Sequence, residues 1–191
     1  MHTETELKWA LDAAGHAALA QRLAELLGPP LQLAQENRFY DTADRRLRAA
    51  GLSVRVRREN GRLLLTCKGR GRMARDGTGT HRREEWEREL PAGSAEPLAE
   101  LLPERWRAAL GDGRLQLLGG FSNRRQQWRD GPHLLCLDDT DFGVRHDYEL
   151  EIETAQPAAA HARWATLLAA WGIAWEPQPH TKLWRWLALV G

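Results

Sequence analysis

Two cysteines, Cys67 and Cys136, are all that 191 residues carry, and they fall into no metal-ligand spacing. The chain therefore offers no basis for a disulfide framework or a thiolate metal site. Its seven histidines show no zinc spacing. No apolar run reaches the ~18 residues that a membrane-spanning helix needs. The first residues enter a charged, strand-like segment and do not resemble a secretory leader, so a cytoplasmic protein without membrane association is expected. Gly69, Gly71, Gly77 and Gly79 lack the spacing and the Lys-Ser/Thr ending of a phosphate-binding P-loop. No serine or cysteine stands in a nucleophile motif. An excess of one charge is missing as well, since 27 Lys and Arg against 26 Asp and Glu leave +1. The bases form no stripe interleaved with aromatics, which argues against nucleic acid. No repeat and no long linker divides the chain, so residues 1–191 read as one domain.

What is present is alternation. In the first nine residues Glu4, Glu6 and Lys8 alternate with Thr3, Thr5, Leu7 and Trp9. A strand has a side-chain period of two, so the charges share one face. The pattern returns in Ser53, Arg55 and Arg57 against Val54 and Val56. It returns again in Thr66, Lys68 and Arg70 against Leu65 and Cys67, and most sharply in Glu149, Glu151 and Glu153 against Tyr148, Leu150 and Ile152. Asn60-Gly61 predicts a hairpin turn between two of these strands. Further strands are expected over 35–41, 81–90, 115–118, 123–128 and 133–138, with Gly119-Gly120 separating two of them. Residues 69–80 read as a mobile loop. Helices are expected over 12–27, as a short turn over 45–50, over 95–110 with an interruption at Pro103, over 157–171, and over 182–190. The nine tryptophans read as packing between a sheet and its helices.

A solvated sheet face is the ordinary reading of a polar strand face. Such a face mixes its residues, whereas here single strands carry one sign, and crowded like charges repel. The opposite faces are apolar, and the helices have apolar stripes to cover them. Helices outside an apolar sheet surface leave the charged faces pointing at one another inside a closed or nearly closed barrel. Unpaired buried charge costs several kcal/mol, so the interior must hold water, ions or a charged ligand. Carboxylates suit Mg2+ or Mn2+, and Arg and Lys suit phosphate oxygens. Metal, polyanion and basic clamp together are the ingredients of phosphoryl transfer. Internal pairing of the acids with the bases is the structural alternative.

The ordered set of charged motifs resembles the CYTH superfamily, the triphosphate tunnel metalloenzymes. Glu4-x-Glu6-x-Lys8 is similar to its ExExK signature. Phe39-Tyr40-Asp41-Thr42, Arg55-x-Arg57, Lys68, Arg83-x-Glu85, Arg125, Asp138, Glu149-x-Glu151-x-Glu153 and Lys182 follow in the family's order. Gly119-Gly120-Phe121 and the run from Phe142-Gly143 to Glu153 are similar to its plant and bacterial tripolyphosphatase branch. The resemblance implies an α+β fold, an eight-stranded antiparallel barrel forming a tunnel with helices outside. It implies hydrolysis of a linear triphosphate, chiefly tripolyphosphate to pyrophosphate and phosphate, with Mg2+ or Mn2+. Glu4, Glu6, Asp138, Glu149, Glu151 and Glu153 would hold metal. Lys8, Arg55, Arg57, Lys68, Arg83, Arg125 and Lys182 would hold phosphate, with Lys182 closing one tunnel end. Glu4, Glu6, Lys8, Arg57 and Lys182 would carry the catalysis. The extra charges of 81–90 leave the inward register of Arg83 and Glu85 open by one residue, and Arg124 competes with Arg125. Thiamine triphosphatase, adenylate cyclase and a non-catalytic polyphosphate-binding module are the rival activities.

Overall fold

The computed structural model describes residues 1–91, 93–94 and 99–190. In chain order the elements are β1 (His2–Leu11), α1 (Ala13–Leu27), β2 (Leu31–Asp41), α2 (Arg46–Ala49), β3 (Ser53–Glu59), β4 (Arg62–Lys68), β5 (Arg72–Met73), β6 (Thr80–Leu90), a 3-10 turn (Ala99–Leu101), α3 (Glu104–Leu110), β7 (Gln116–Asp130), β8 (His133–Asp141), β9 (His146–Glu153), α4 (Pro157–Ala170), β10 (Glu176–Pro177) and α5 (Lys182–Val190). Eight strands close in the order β1-β9-β8-β7-β2-β3-β4-β6, with β6 returning to β1. Every pairing is antiparallel, and residues 2–7 of β1 form the closing seam with β6. The two-residue strands β5 and β10 extend the edges of β6 and β1.

Alternation turns the apolar face outward, where helices bury it. Leu7, Trp9, Leu135, Leu137, Leu150 and Ile152 pack under Leu19 and Leu23 of α1 and Trp164 and Leu168 of α4. Asp12 caps α1, its carboxylate accepting from the Gly15 amide at 2.6 Å, and Pro157 opens α4 where a missing N–H costs nothing. Across the barrel, Val54, Val56, Leu65 and Cys67 pack against Leu47 of α2 and Trp106 and Leu110 of α3. A third cluster differs, because Phe39 and Phe121 come from the inward face. With Phe142 they receive Trp186 of α5, so α5 covers the barrel end where β2 finishes and β8 turns back.

Two expectations are corrected. Segments 115–118 and 123–128 belong to the single strand β7. Gly119 and Gly120 do not break it; they let it pass close to β2. A Cβ on Gly120 would lie 1.8 Å from the Asn37 carbonyl, and Gly119 takes φ +124° beneath Trp186. The ladder absorbs the irregularity as a register shift between Phe39 and Tyr40. The 69–80 segment is tied down rather than loose. Lys8 N–H donates to the Gly79 carbonyl at 2.9 Å, and Trp9 Nε1 donates to the Thr78 carbonyl at 2.8 Å. Of the helix expected over 95–110, residues 99–110 form a 3-10 turn and α3, and residues 95–98 lie outside the described residues. Tryptophan packs as expected at positions 9, 106, 128, 164 and 186, whereas Trp184 is 51% exposed and stacks on His180.

Candidate active site in the barrel interior

The barrel encloses a cavity of about 630 Å³ lined by Glu4, Lys8, Arg55, Arg57, Lys68, Arg83, Glu85, Arg125, Glu151, Glu153 and Lys182, among others. Both open questions of register are resolved by burial. Arg83 and Glu85 point inward and Arg82 and Glu84 outward; Arg125 is buried and Arg124 exposed.

Strand register makes the ion pairs. Lys8 lies opposite Glu151, and its ammonium donates to Glu151 Oε1 at 2.5 Å. Arg125 lies opposite Asp138 and grips it with both arms, at 2.7 and 2.6 Å, while also reaching Glu151 Oε2 at 2.5 Å. Arg83 lies opposite Glu4 and bridges Glu4 and Glu6, each at 2.7 Å. Lys68 donates to Glu4 at 3.0 Å and lies 3.0 Å from Glu85. Internal pairing of acids and bases is thus realised at these positions.

Of the six acids expected at a metal, three converge. One oxygen from each of Asp138, Glu149 and Glu151 can lie within 4.8 Å of the other two, and all three residues are buried. The Lys182 ammonium sits among them, 2.7 Å from Asp138 Oδ2, 3.0 Å from Glu151 Oε1 and bonded to Glu149 Oε1. The Lys182 side-chain nitrogen thus already occupies the point where these oxygens meet; burial, with Lys8, Arg125 and Arg185 nearby, lowers its pKa, and Asp138 pulls it back toward the charged form. A hard-oxygen triad with a stand-in cation fits a divalent metal. Burial alone would raise the Glu151 pKa, but Lys8 and Arg125 hold it well below the usual carboxylate range. Against the same cost, Arg125 and Lys182 hold Asp138 at about 2. Both acids are therefore ionised and ready to ligate at neutral pH. Glu4 and Glu6 stand on the adjoining wall, committed to Arg83. Glu153 lies across the ladder from Glu6 and has no ion pair among the described residues. Burial, reinforced by Glu4, Glu151 and Glu6, pushes it up to about 7.

The bases divide likewise. Lys8, Lys68, Arg83, Arg125 and Lys182 are saturated by carboxylates. Among the described residues the polar contacts of Arg57 are Asn37 at 3.2 Å and Glu59 at 3.6 Å. Arg55 has no carboxylate within ion-pair distance among the described residues. It donates to Thr66 Oγ1 at 3.1 Å and its Nε is unpartnered. Burial, helped by Arg57, pushes it down to about 9. An under-compensated guanidinium in a cavity is a receptor for an anion.

Two interior features escaped the sequence reading. Asn123 donates to Asp138 at 2.9 Å and to Gln35 at 2.9 Å, fixing the triad from the side. Arg185 is 6% exposed and clamps Asp147 at 2.9 Å and Glu149 Oε2 at 2.5 Å. Its spacing of three from Lys182 placed both on one helix face, and that was the available signal.

A CYTH domain profile matches residues 2–169. The chain belongs to the CYTH family. Its closed eight-stranded barrel is the CYTH tunnel fold. The chain is 26% identical over 148 residues to YjbK of Bacillus subtilis (strain 168), provisionally named a triphosphatase, covering 78% of this chain and 75% of that one. HpAC1 from Hippeastrum is 27% identical with a TM-score of 0.84, covering 97% of this chain and 95% of that one. That protein was provisionally assigned as an adenylyl cyclase and is described as showing a dominant triphosphatase activity. A Bacillus halodurans protein provisionally assigned as an adenylate cyclase is 21% identical with a TM-score of 0.71 over 97% of this chain and 98% of its own, a likeness of fold. Membership of CYTH and the triphosphatase-named relatives support phosphohydrolase activity. CYTH tunnel enzymes use divalent metals, and the buried acidic cluster suits one. No helix among the described residues is long and apolar enough to cross a membrane.

Proposed function

We propose that this protein hydrolyses linear inorganic tripolyphosphate to pyrophosphate and phosphate with Mg2+ or Mn2+, in the cytoplasm. One observation carries the reading: a closed tunnel holds a convergent triad of carboxylates together with a buried guanidinium, Arg55, that has no carboxylate within ion-pair distance among the described residues. A row of phosphates is the ligand that needs both walls at once.

Asp138, Glu149 and Glu151 would hold the metal, with Glu4 and Glu6 on the adjoining wall. A divalent cation held there would supply charge neutralisation for phosphate and a lowered pKa for water. Arg55 and Arg57 bind the phosphates first, since they have the least to give up. Lys68 and Arg83 follow by exchanging carboxylate for phosphate oxygen, and so stabilise the charge that grows on the transferring group. Lys8 and Arg125 stay pinned by their cross-strand partners and keep Glu151 and Asp138 ionised. Glu153, without an ion pair, accepts the proton of the attacking water.

Phosphate release from tripolyphosphate with Mg2+, compared between the natural protein and the variants Glu4→Gln and Glu149→Gln, tests the assignment. Each variant is expected to lose at least about 100-fold in turnover, the scale of removing one electrostatic contact to the transition state. Full activity in both at limiting metal would refute it. Thiamine triphosphate and ATP run beside tripolyphosphate discriminate the rival enzymes, and cyclic AMP in place of free phosphate would identify a cyclase. Tight calorimetric binding of tripolyphosphate without turnover would identify a binding module.

A further inference from the structure

All six oxygens of the carboxylate triad are engaged, and the partners differ in how firmly they are held. Asp138 Oδ1 accepts from Asn123 and Arg125, and Glu151 Oε2 from Arg125. Glu151 Oε1 accepts from Lys8. Lys8 and Arg125 sit in strands, fixed opposite the residues they touch. Arg185 holds Glu149 Oε2 and is locked a second time to Asp147. Among the described residues Lys182 alone touches all three acids, and in Glu149 Oε1 it holds an oxygen that accepts from no other donor among them. Lys182 is the first residue of α5, outside the barrel ladder, and a lysine is a point charge on a flexible four-carbon stem. Its side chain is thus neither fixed by a cross-strand position, as those of Lys8 and Arg125 are, nor locked to an acid outside the triad, as that of Arg185 is, and it stands where the oxygens converge.

We propose that the Lys182 ammonium is a tethered competitor for the divalent cation: it occupies the meeting point of Asp138, Glu149 and Glu151, and is released toward a substrate phosphate when the metal takes those oxygens. Arg185 is the positioning residue, because its double clamp on β9 seats α5 so that Lys182 reaches the triad. The inference rests on the metal and phosphate reading above and gives it an order. The same lysine weakens metal binding before substrate arrives and strengthens phosphate binding afterward.

Calorimetric titration with Mn2+, in the absence of any phosphate, tests it on the natural protein, Lys182→Met and Arg57→Met. Arg57 removes the same charge from the same cavity without touching the triad. Lys182→Met is expected to bind Mn2+ at least about tenfold more tightly, equivalent to ~1.4 kcal/mol, and Arg57→Met to change less than about threefold. Lys182→Gln supplies the same comparison if Lys182→Met does not fold; Arg185→Met, which both loosens the seat of Lys182 and frees Glu149 Oε2, is also expected to tighten Mn2+. Circular-dichroism melts of metal-free protein establish that each variant is folded. Unchanged or weaker Mn2+ binding in the folded Lys182 or Arg185 variants overturns the inference while leaving the metal reading standing. An equal gain in Arg57→Met also overturns it, because net charge would then suffice. No Mn2+ binding by natural protein or variants overturns both.

Discussion

Arg55 shows how a single residue can be costly to the fold and useful to the site. It is a buried guanidinium with one hydrogen bond to Thr66 and no carboxylate partner among the described residues, and burial already pulls its pKa down to about 9. Desolvation without compensation destabilises. Arg55→Met should therefore melt at the same temperature as the natural protein or a few degrees higher, where ~1 kcal/mol corresponds to about 2–4 °C. The same change should raise the KM for tripolyphosphate about 10- to 100-fold, since a hydrogen bond to a charged group contributes ~1.5–3 kcal/mol. A thermal melt and a substrate titration check the two halves, and a large fall in melting temperature would show that Arg55 is structural. Asp138 behaves oppositely. Arg125 grips it twice and Lys182 adds a third contact, so Asp138→Asn would take the negative charge out of these contacts and leave Arg125 with Glu151 as its carboxylate among the described residues. It should cost ~1.5–3 kcal/mol in urea unfolding, the scale of hydrogen bonds to a charged group.

At the scale of elements, the β2–β7 crossing and the α1 packing each rest on a local detail. Gly120 runs against the backbone of Asn37, and no side-chain rotation relieves a clash with a carbonyl. Gly120→Ala should therefore destabilise by about 2–4 kcal/mol and displace Asn37 and Phe39 from the cavity wall, seen as loss of both stability and substrate affinity. On α1, His16 packs against the Tyr148 ring at 5.0 Å, with its Nε2 buried and unpartnered. Burial lowers its pKa despite the pull of Asp139 and Asp138. A histidine with a lowered folded-state pKa must be charged at a cost, so it favours folding above the unfolded value of ~6.5 and loses that contribution as pH falls through that range. Glu153, raised to about 7, pulls the other way, since its protonation favours folding as pH falls, so the His16 contribution is read as a difference: the melting temperature of the natural protein relative to His16→Phe should fall between pH 7 and pH 5. Equal slopes would remove His16 from the account. His81, also lowered by burial, contributes in the same direction and leaves part of the slope in that variant.

The whole molecule is a ring of strands, closed by the seam between β1 and β6 that residues 2–7 of β1 make. Deletion of residues 1–6 removes Glu4 and Glu6 and should abolish turnover on that ground alone. The topology adds a second consequence, since the deletion removes the seam and with it the closure of the barrel. The truncated protein should hydrolyse no tripolyphosphate and should unfold at lower urea concentration, because two strand edges are left without partners. Retained closure, shown by an unchanged unfolding midpoint, would mean that the remaining seven strands hold the ring without it. Salt should weaken substrate binding only modestly, because the tunnel's charges are buried and poorly screened.

The strand and helix inventory, the outward apolar face and the charged interior were legible in the sequence, because alternation at period two and stripes at helical spacing are local properties. The exceptions had non-local causes. Gly119-Gly120 look like a break until the Asn37 carbonyl is placed beside them, and the 69–80 loop looks free until Lys8 and Trp9 bind it. The charged residues that line the tunnel were likewise visible as types on a face. Which acid meets which base was not, since Lys8–Glu151 and Arg83–Glu4 are separated by more than seventy residues and depend on register around a closed ring. Only the tertiary structure separated Asp138, Glu149 and Glu151 from Glu4 and Glu6, left Arg55 without a carboxylate, and brought Lys182 and Arg185 onto the triad. Face and period belong to the strand, but pairing and burial belong to the barrel, and it is pairing and burial that decide which charges are free to meet a phosphate.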